Sequence, residues 1–457
     1  MKTKTKMIAF VEIAVVLCSV FLVAIPVIAA EHTAQEVSAS ASEVTTASED
    51  DYVLEIYGNA NEDDTIDMRD LTYVKLIFFG KKPEAELADA KYDGKINPLD
   101  FIQIKLIIVG KEKELTIVDD TVTDTYPNGK PVTVRKPIKR VILLNSDVAE
   151  AIKVLNARDK VVGVTSGITS RSTFFPELSK LPCVGKWKEE DIEKILSLNP
   201  DLVIGYGGSY YSRRTEEIYK DLPITVVKLQ FYVPEIMTED IGKLGYILGK
   251  VEEAEEYIGF KDECMGTINE RVGKLSEDEK PQVYLEWATK AYGTYTKGSG
   301  THQVCTMAGG INIAADLSGP YAKVDPEWVI IQNPDIIFKH QYAGSGYEVD
   351  NPSEMKARRD EVMNRPELAN VTAVKEEKVY LISSDILYGP GYFVGIAYMA
   401  KWFHPYLFAD LDPEANHKEY LTRFLRLDYD VDEHGVFAYP PIEIDDGLAG
   451  IPDKYKG

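Results

Sequence analysis

Oxygen-bearing side chains recur at fixed spacing near the start of this chain. Asn59, Asn61, Asp63, Asp67 and Asp70 occupy relative positions 1, 3, 5, 9 and 12 of one loop, the spacing by which a short loop wraps a hard cation such as calcium in oxygens. The pattern returns 30 residues on as Asp89, Asp93, Asn97 and Asp100, with Gly94 at the sharp turn. Lys91 stands where the second loop wants an oxygen at position 3, so calcium is expected to favour the first site. Capping of two helix N-termini would account for many of the same residues without a metal.

A second repeat carries carboxylates at matched places. DIEKILSLNPDLVI at 191–204 returns as DPEWVIIQNPDIIF at 325–338, so Asp191, Glu193, Asn199, Pro200 and Asp201 reappear as Asp325, Glu327, Asn333, Pro334 and Asp335. Asp191 and Asp325 read as helix N-caps, and Pro326 suits a first helical position. Each Asn-Pro pair ends its helix ahead of a buried strand. Glu193 and Glu327 then fall in matched first turns, where a carboxylate stabilises the helix dipole by roughly 0.3–1 kcal/mol.

Both sets need folded elements to hold them. At 457 residues the chain exceeds what one core usually fills, and 45% apolar content is ample for burial. A formal charge of −23 argues against a nucleic-acid partner, because phosphate binding needs clustered Lys and Arg. Residues 1–30 combine a basic start, MKTKTKM, with an apolar run ending in Ala29-Ala30, which fits a cleaved export signal; an uncleaved anchor helix would use the same letters. Cys18 follows Leu17, a poor context for lipid attachment. The remaining cysteines, Cys183, Cys264 and Cys305, permit one disulfide at most and match no zinc spacing.

Residues 31–56 read as a flexible tether rich in Ser, Thr, Ala and Glu, and 57–112 contain the two loop-helix units. After a connector at 113–125, the apolar runs VILLN, VVGVTS, DLVIGY and ITVVKL alternate with amphipathic stretches, and VYLEW, DIIFKH and VYLIS continue the alternation later. Continuous apolar strands between helical patterns indicate parallel sheets covered on both faces. The fold class is therefore α/β, with two Rossmann-like lobes at 126–237 and 277–408 and a small N-terminal α domain of EF-hand-like loops. Residues 238–276 read as one long helix joining the lobes, capped by Thr238, with Gly249 as a candidate break. A C-terminal extension at 409–457 contains a predicted helix over His417–Leu427.

The loop-helix pair at 57–112 resembles a type I dockerin domain, which implies calcium-dependent folding and docking to a cohesin-bearing protein. It departs from that pattern at Lys91 and at Asp64, which replaces the usual turn glycine. The paired D-x-E…NPD segments, the two lobes with their connecting helix, and MAGGINIAADL at 307–317 resemble the substrate-binding proteins of ABC importers for iron complexes, haem and corrinoids. The resemblance covers residues 126 to 408. It implies an exported receptor, periplasmic or on the cell surface, that captures an iron chelate or corrinoid between its lobes and delivers it to a membrane permease. It also implies that Glu193 and Glu327 dock with arginines of that permease.

Ligands of two-lobed α/β proteins lie beyond the carboxyl ends of the strands, between the lobes. Aromatic residues crowd those segments, and Trp187, Tyr206, Trp287, Tyr295 and Tyr388 are the expected lining for a large, partly apolar metal complex. His340 joins them as a candidate axial metal ligand. No local catalytic motif is found: GSG at 298–300 lacks nucleophile-elbow spacing, a phosphate loop is missing, and His302, His340 and His404 stand apart in sequence. Binding without turnover is the expectation. The alternative is a cell-surface interaction protein acting through its dockerin-like domain. A metal-cluster enzyme between two α/β lobes is disfavoured, since the cysteines form no cluster motif.

Overall fold

A computed structural model describes residues 52–445 and 447–456. The expected signal or anchor at 1–30 lies outside the described residues, as does the tether up to residue 51. The described residues divide into two compact units: 52–53 with Gly58–Val109, and Leu54–Tyr57 with the described residues from Gly110 onward.

In the smaller unit two helices, α1 (Met68–Phe78) and α2 (Pro98–Ile108), each follow an oxygen-rich loop. The loops share their central hydrogen bonds. Asp70 accepts the Asn61 and Asp67 N–H groups (3.1 and 2.7 Å), as Asp100 accepts those of Lys91 and Asn97 (2.9 and 2.7 Å). Asp67 and Asn97 complete capping boxes at the two helix starts. Ile66, Leu71, Val74, Ile104 and Ile107 form the apolar centre of the unit. One departure follows from the sequence: Gly94 takes a left-handed φ of 80°, whereas Asp64 at the equivalent position does not.

The larger unit begins with an antiparallel hairpin, β1 (Glu114–Asp119) and β2 (Lys130–Arg135). The stretch 113–125 is expected as a connector, but its first half is the strand β1, and Asp119 accepts the buried Lys228 N–H (3.0 Å), tying it to the first lobe. That lobe is built on a parallel sheet ordered β4 (Val161–Val164), β3 (Val141–Leu143), β5 (Leu202–Tyr206), β6 (Thr225–Leu229). The second lobe has a mixed sheet whose centre is parallel: β7 (Gln282–Glu286), β8 (Ile336–Gln341) and β9 (Val379–Ser383). Its central strands bury the apolar side chains Val283, Leu285, Ile337, Phe338, Leu381 and Ile382. Each such side chain contributes about 1.5–3 kcal/mol of transfer free energy, which is why these letters form central rather than edge strands.

The connecting segment is two helices, not the single one expected from residue 238 to 276. Pro234–Leu248 ends at Gly249, which adopts φ 67° and ψ 45°, and Val251–Val272 follows. The left-handed glycine is a helix stop that no β-carbon would accept cheaply. Thr238 lies inside the first helix instead of capping it, and its hydroxyl meets Lys261 Nζ at 2.7 Å. The second helix, 22 residues long, measures about 33 Å at the usual rise.

The C-terminal stretch is integral to the second lobe. Ala438–Tyr439 pairs antiparallel with β9, and the buried His417 meets the Tyr347 hydroxyl at 2.7 Å. The helix in this region runs over Pro413–Glu419 and continues as a π-helical turn at Tyr420–Phe424, earlier than expected, because Asp412 caps it and Pro413 opens it.

The repeat at 191 and 325 serves one structural purpose in both lobes. Asp191 caps Ile192–Ser197 through the Lys194 N–H, and Asp325 caps Pro326–Gln332 through the Trp328 N–H, both at 2.9 Å. Asn199 and Asn333 end the helices in the left-handed region, each with φ 46°. Asp201 then accepts the Lys139 and Arg140 N–H groups (2.8 and 2.9 Å), while Asp335 accepts that of Gln282 (2.8 Å). Each aspartate thereby ties its crossover to the start of the neighbouring central strand.

Candidate functional site

The parallel strands of both lobes end at one crevice, and the loops that follow them supply its walls. From the first lobe come Asn145–Asp147 after β3, Thr165 after β4, Tyr206 at the end of β5 and Tyr232 after β6. From the second come Tyr342 after β8 and Ser384, Asp385 and Tyr388 after β9. They enclose a cavity of about 710 Å³. A second chamber of about 550 Å³ shares Tyr211, Tyr232, Tyr295, Tyr321 and Tyr342 with it. That size suits a drug-sized or larger organic guest.

Two aromatic clusters form the walls. In the first lobe Tyr206 packs on Tyr211 and Tyr232 with ring centroids 5.0 and 5.4 Å apart, and Trp187 sits 5.8 Å from Tyr211. Gly208 makes room for this packing: a β-carbon there would lie 2.9 Å from the Tyr232 hydroxyl, and the residue needs its φ of 81°. In the second lobe Tyr321 lies 5.4 Å from Trp287 and 5.7 Å from Tyr295, while Tyr342 stacks on Tyr388 at 6.4 Å.

Polar groups lie between the clusters. The Tyr206 hydroxyl donates to Asp147 (2.9 Å), and burial, followed by the nearby carboxylate, holds the phenol well above its usual range. Arg171 of the first lobe forms an ion pair with Asp385 of the second at 2.8 Å and lies over the Phe174 ring. Glu150 accepts the Gly391 N–H and the Tyr420 hydroxyl, and burial pushes its carboxyl up to about 8. Glu348 accepts the Thr173 and Phe174 N–H groups at 2.9 and 3.0 Å, a further tie between the lobes.

Of the residues named from sequence, Trp187, Tyr206, Tyr295 and Tyr388 line the larger cavity, and Trp287 lines the adjoining chamber. His340 lines neither. Its ring is fully buried behind Tyr295 and Tyr388, with Nε2 engaged by the Tyr295 hydroxyl and Nδ1 by Ser384 (2.9 Å), and burial pushes its pKa down to about 3. Both nitrogens are occupied, so the imidazole orients the tyrosine wall instead of presenting a metal ligand. Lys339, the neighbouring lysine, is likewise turned inward to Glu286 (2.9 Å) and the Trp287 carbonyl (2.6 Å). Sequence reasoning missed Asp147, Glu150, Arg171, Tyr232, Tyr321, Glu348 and Asp385. The first two follow directly on the apolar run VILLN, a place where cleft residues of such folds can be sought; Arg171 and Asp385 lie in loops without local pattern.

Glu193 and Glu327 are both exposed, each in the first turn of its lobe's short crossover helix. In the smaller unit, no three His, Cys, Asp or Glu side chains converge as a metal cage, a statement that holds across the described residues. Asp63 and Asp67 pair instead with Arg69, both at 2.9 Å. Two features nonetheless suit a cation there: Asn61 Oδ1 is buried without a hydrogen-bond donor, and burial pushes the Asp70 carboxyl up to about 6.

The family model for periplasmic binding proteins matches residues 141–386, just over half of the chain and both walls of this crevice. The chain belongs to the periplasmic binding protein family. It is a substrate-binding component of an ABC importer that works outside the cytoplasm, and it is not an enzyme. This binding protein is 27% identical over 299 residues to the uncharacterized ABC transporter substrate-binding lipoprotein YvrC of Bacillus subtilis, covering 63% of this chain and 87% of that one. It is 28% identical over 190 residues to the vitamin B12-binding protein of Salmonella typhimurium, covering 41% and 70%. Among solved structures, the TroA-like periplasmic binding protein FepB of Veillonella parvula matches with a TM-score of 0.59 at 24% identity, over 71% of this chain and 98% of that one. Among the described residues no helix is long and apolar enough to cross a membrane.

Proposed function

We propose that this binding protein captures a metal chelate, an iron complex or a corrinoid, between its lobes and passes it to the permease. The observation that carries the reading is the crevice itself, walled by aromatic rings from both lobes beyond the strand ends. Tyrosine and tryptophan faces grip a broad, partly apolar ring system while their polar edges meet its periphery. The vitamin B12-binding relatives support a corrinoid among the candidates. Absorbance and calorimetric titration of the purified full chain with cobalamin, haem and ferric siderophores tests it. Saturable 1:1 binding of one of them is expected, and absence of binding by all of them refutes the chelate reading.

The exposed, equivalently placed Glu193 and Glu327 fit docking to cationic groups on the permease, one from each lobe. A second reading concerns the smaller unit, whose helices leave Met68, Leu99, Phe79 and Val109 between 51% and 68% exposed. So much exposed apolar surface on a small unit favours a protein partner. We read it as a dockerin-type module, with calcium held by Asn59, Asn61, Asp63, Asp67 and Asp70 and more weakly by Asp89, Asp93, Asn97 and Asp100, that docks a cohesin-bearing protein. Calcium-dependent pulldown with a purified cohesin module tests this, and equal capture in excess chelator would refute it.

A further inference from the structure

We propose that the guest of the crevice carries no net negative charge, because the cleft cancels its own cation and surrounds the space with carboxyl groups. The inference rests on the chelate reading above and narrows it.

The charge inventory is short. Among the described residues lining the two chambers, Arg171 is the one Lys or Arg side chain, and Asp385 holds it at 2.8 Å from across the crevice. Its guanidinium also packs 4.8 Å over the centre of the Phe174 ring, with side-chain exposure of 20%. The guanidinium is offset in charge by Asp385 and stacked on a ring, although its buried Nη2 donates no hydrogen bond. The same space is faced by Asp147 and Glu348, while Glu150, its carboxyl pushed up to about 8 by burial, faces it as a protonated acid. Asp147 accepts the Tyr206 and Ser146 hydroxyls (2.9 and 3.1 Å) and shares the charge of Arg171 with Asp385. The second chamber is lined by neutral groups throughout. Lys188 and Lys290 lie over the rings of Trp187 and Trp287 at 4.0 and 5.6 Å and line neither chamber.

Transfer of an anion into this setting costs desolvation and repulsion together, with no unpaired cation to compensate. A neutral or cationic chelate meets instead a wall of phenols that donate and accept hydrogen bonds, and carboxyl groups that favour positive charge or amide and amine donors on its rim. Dianionic oxyanions, haem with its two propionates and tris-catecholate iron complexes are disfavoured on this ground. Corrinoids and tris-hydroxamate iron complexes fit it.

The test is quenching of tryptophan fluorescence in the full chain by four probes: cyanocobalamin, a cationic ferric tris-hydroxamate, haem and a trianionic ferric tris-catecholate. Binding by one of the first two, and at least roughly tenfold weaker binding by the last two, is expected. Asp385→Asn releases Arg171 and should shift the ratio of anionic to neutral affinity by about tenfold or more toward the anions. Asp147→Asn, which keeps an acceptor for Tyr206 and leaves the interlobe pair intact, should shift the same ratio in the same direction. A tris-catecholate or haem that binds the unaltered chain most tightly overturns the inference while sustaining the chelate reading, as does a ratio unmoved in both folded variants. Failure of all four probes overturns the chelate reading and this inference with it.

Discussion

Glu150 accepts the Tyr420 hydroxyl at 2.6 Å, a bond that fastens the first lobe to a residue 270 positions later in the chain. Burial raises the carboxyl from 4.5 to about 8, so the folded state retains a proton that the unfolded chain gives up. A raised carboxyl pKa contributes stability below its ordinary value and loses it as pH rises through the folded value. The melting temperature of the Glu150→Gln variant should therefore fall less than that of the natural chain between pH 4.5 and about 8. Parallel pH profiles by scanning calorimetry check this; identical slopes would show that Glu150 is ionised in the folded protein.

Glu286 is a second buried carboxyl, here with opposite sign. Burial alone would raise its pKa, but bonds from Arg365 and the charge of Lys339 hold it below the usual carboxylate range. Replacement with alanine strips the buried Lys339 of its carboxylate partner and leaves Arg365 with the longer pair to Glu361 (3.6 Å), and should cost about 3–5 kcal/mol. Urea denaturation measures it. A loss below about 1 kcal/mol would mean that water reaches the site.

The matched ties of Asp201 and Asp335 predict matched losses. Alanine at either position frees the N–H groups at the start of a central strand and should cost about 1–3 kcal/mol. The two sites lie in different lobes with no shared partner, so the double variant should lose the sum within about 0.5 kcal/mol. Denaturation midpoints of the three variants decide it.

These ties also show how much the sequence disclosed. Repetition fixed both lobes, because a helix cap, a left-handed asparagine and an anchoring aspartate depend on short-range spacing. The aromatic half of the crevice was legible for a similar reason: Tyr206 ends one apolar strand and Tyr388 lies within a turn of another. The polar half was not. Arg171 and Asp385 meet across 214 positions with no pattern in either loop, and a buried imidazole such as His340 has the same letter as an exposed ligand. The break in the connecting helix falls at Gly249, the candidate the sequence offers, but glycine is tolerated within helices at a cost of about 1 kcal/mol, so its letter alone does not decide between a break and a continuous helix.

Calcium should act on the smaller unit in a pH-dependent way. With Asp70 raised from 3.8 to about 6, its contribution to stability is present at low pH and lost as pH rises past the folded value. A bound cation favours the ionised form, so added calcium should raise the unfolding temperature of this unit more above about pH 6 than below it. Asp70→Asn should abolish most of that gain in calorimetry of the full chain. An equal gain in the variant would assign calcium elsewhere.

Charge reversal at both Glu193 and Glu327 should abolish uptake of a bound chelate by cells or proteoliposomes bearing the permease, with equilibrium affinity for the chelate unchanged. Affinity that falls with uptake would place these glutamates within reach of the crevice instead.

The return of the C-terminal segment has one more consequence. Tyr420 and Arg426 grip the first lobe at Glu150 and at the Lys153 carbonyl, while Ala438–Tyr439 is sewn into the sheet of the second. A strap anchored on both banks limits how far they can part. Cargo must therefore slip in past the aromatic rim, and whatever the importer senses on loading will be a small tightening rather than the swing of a gate.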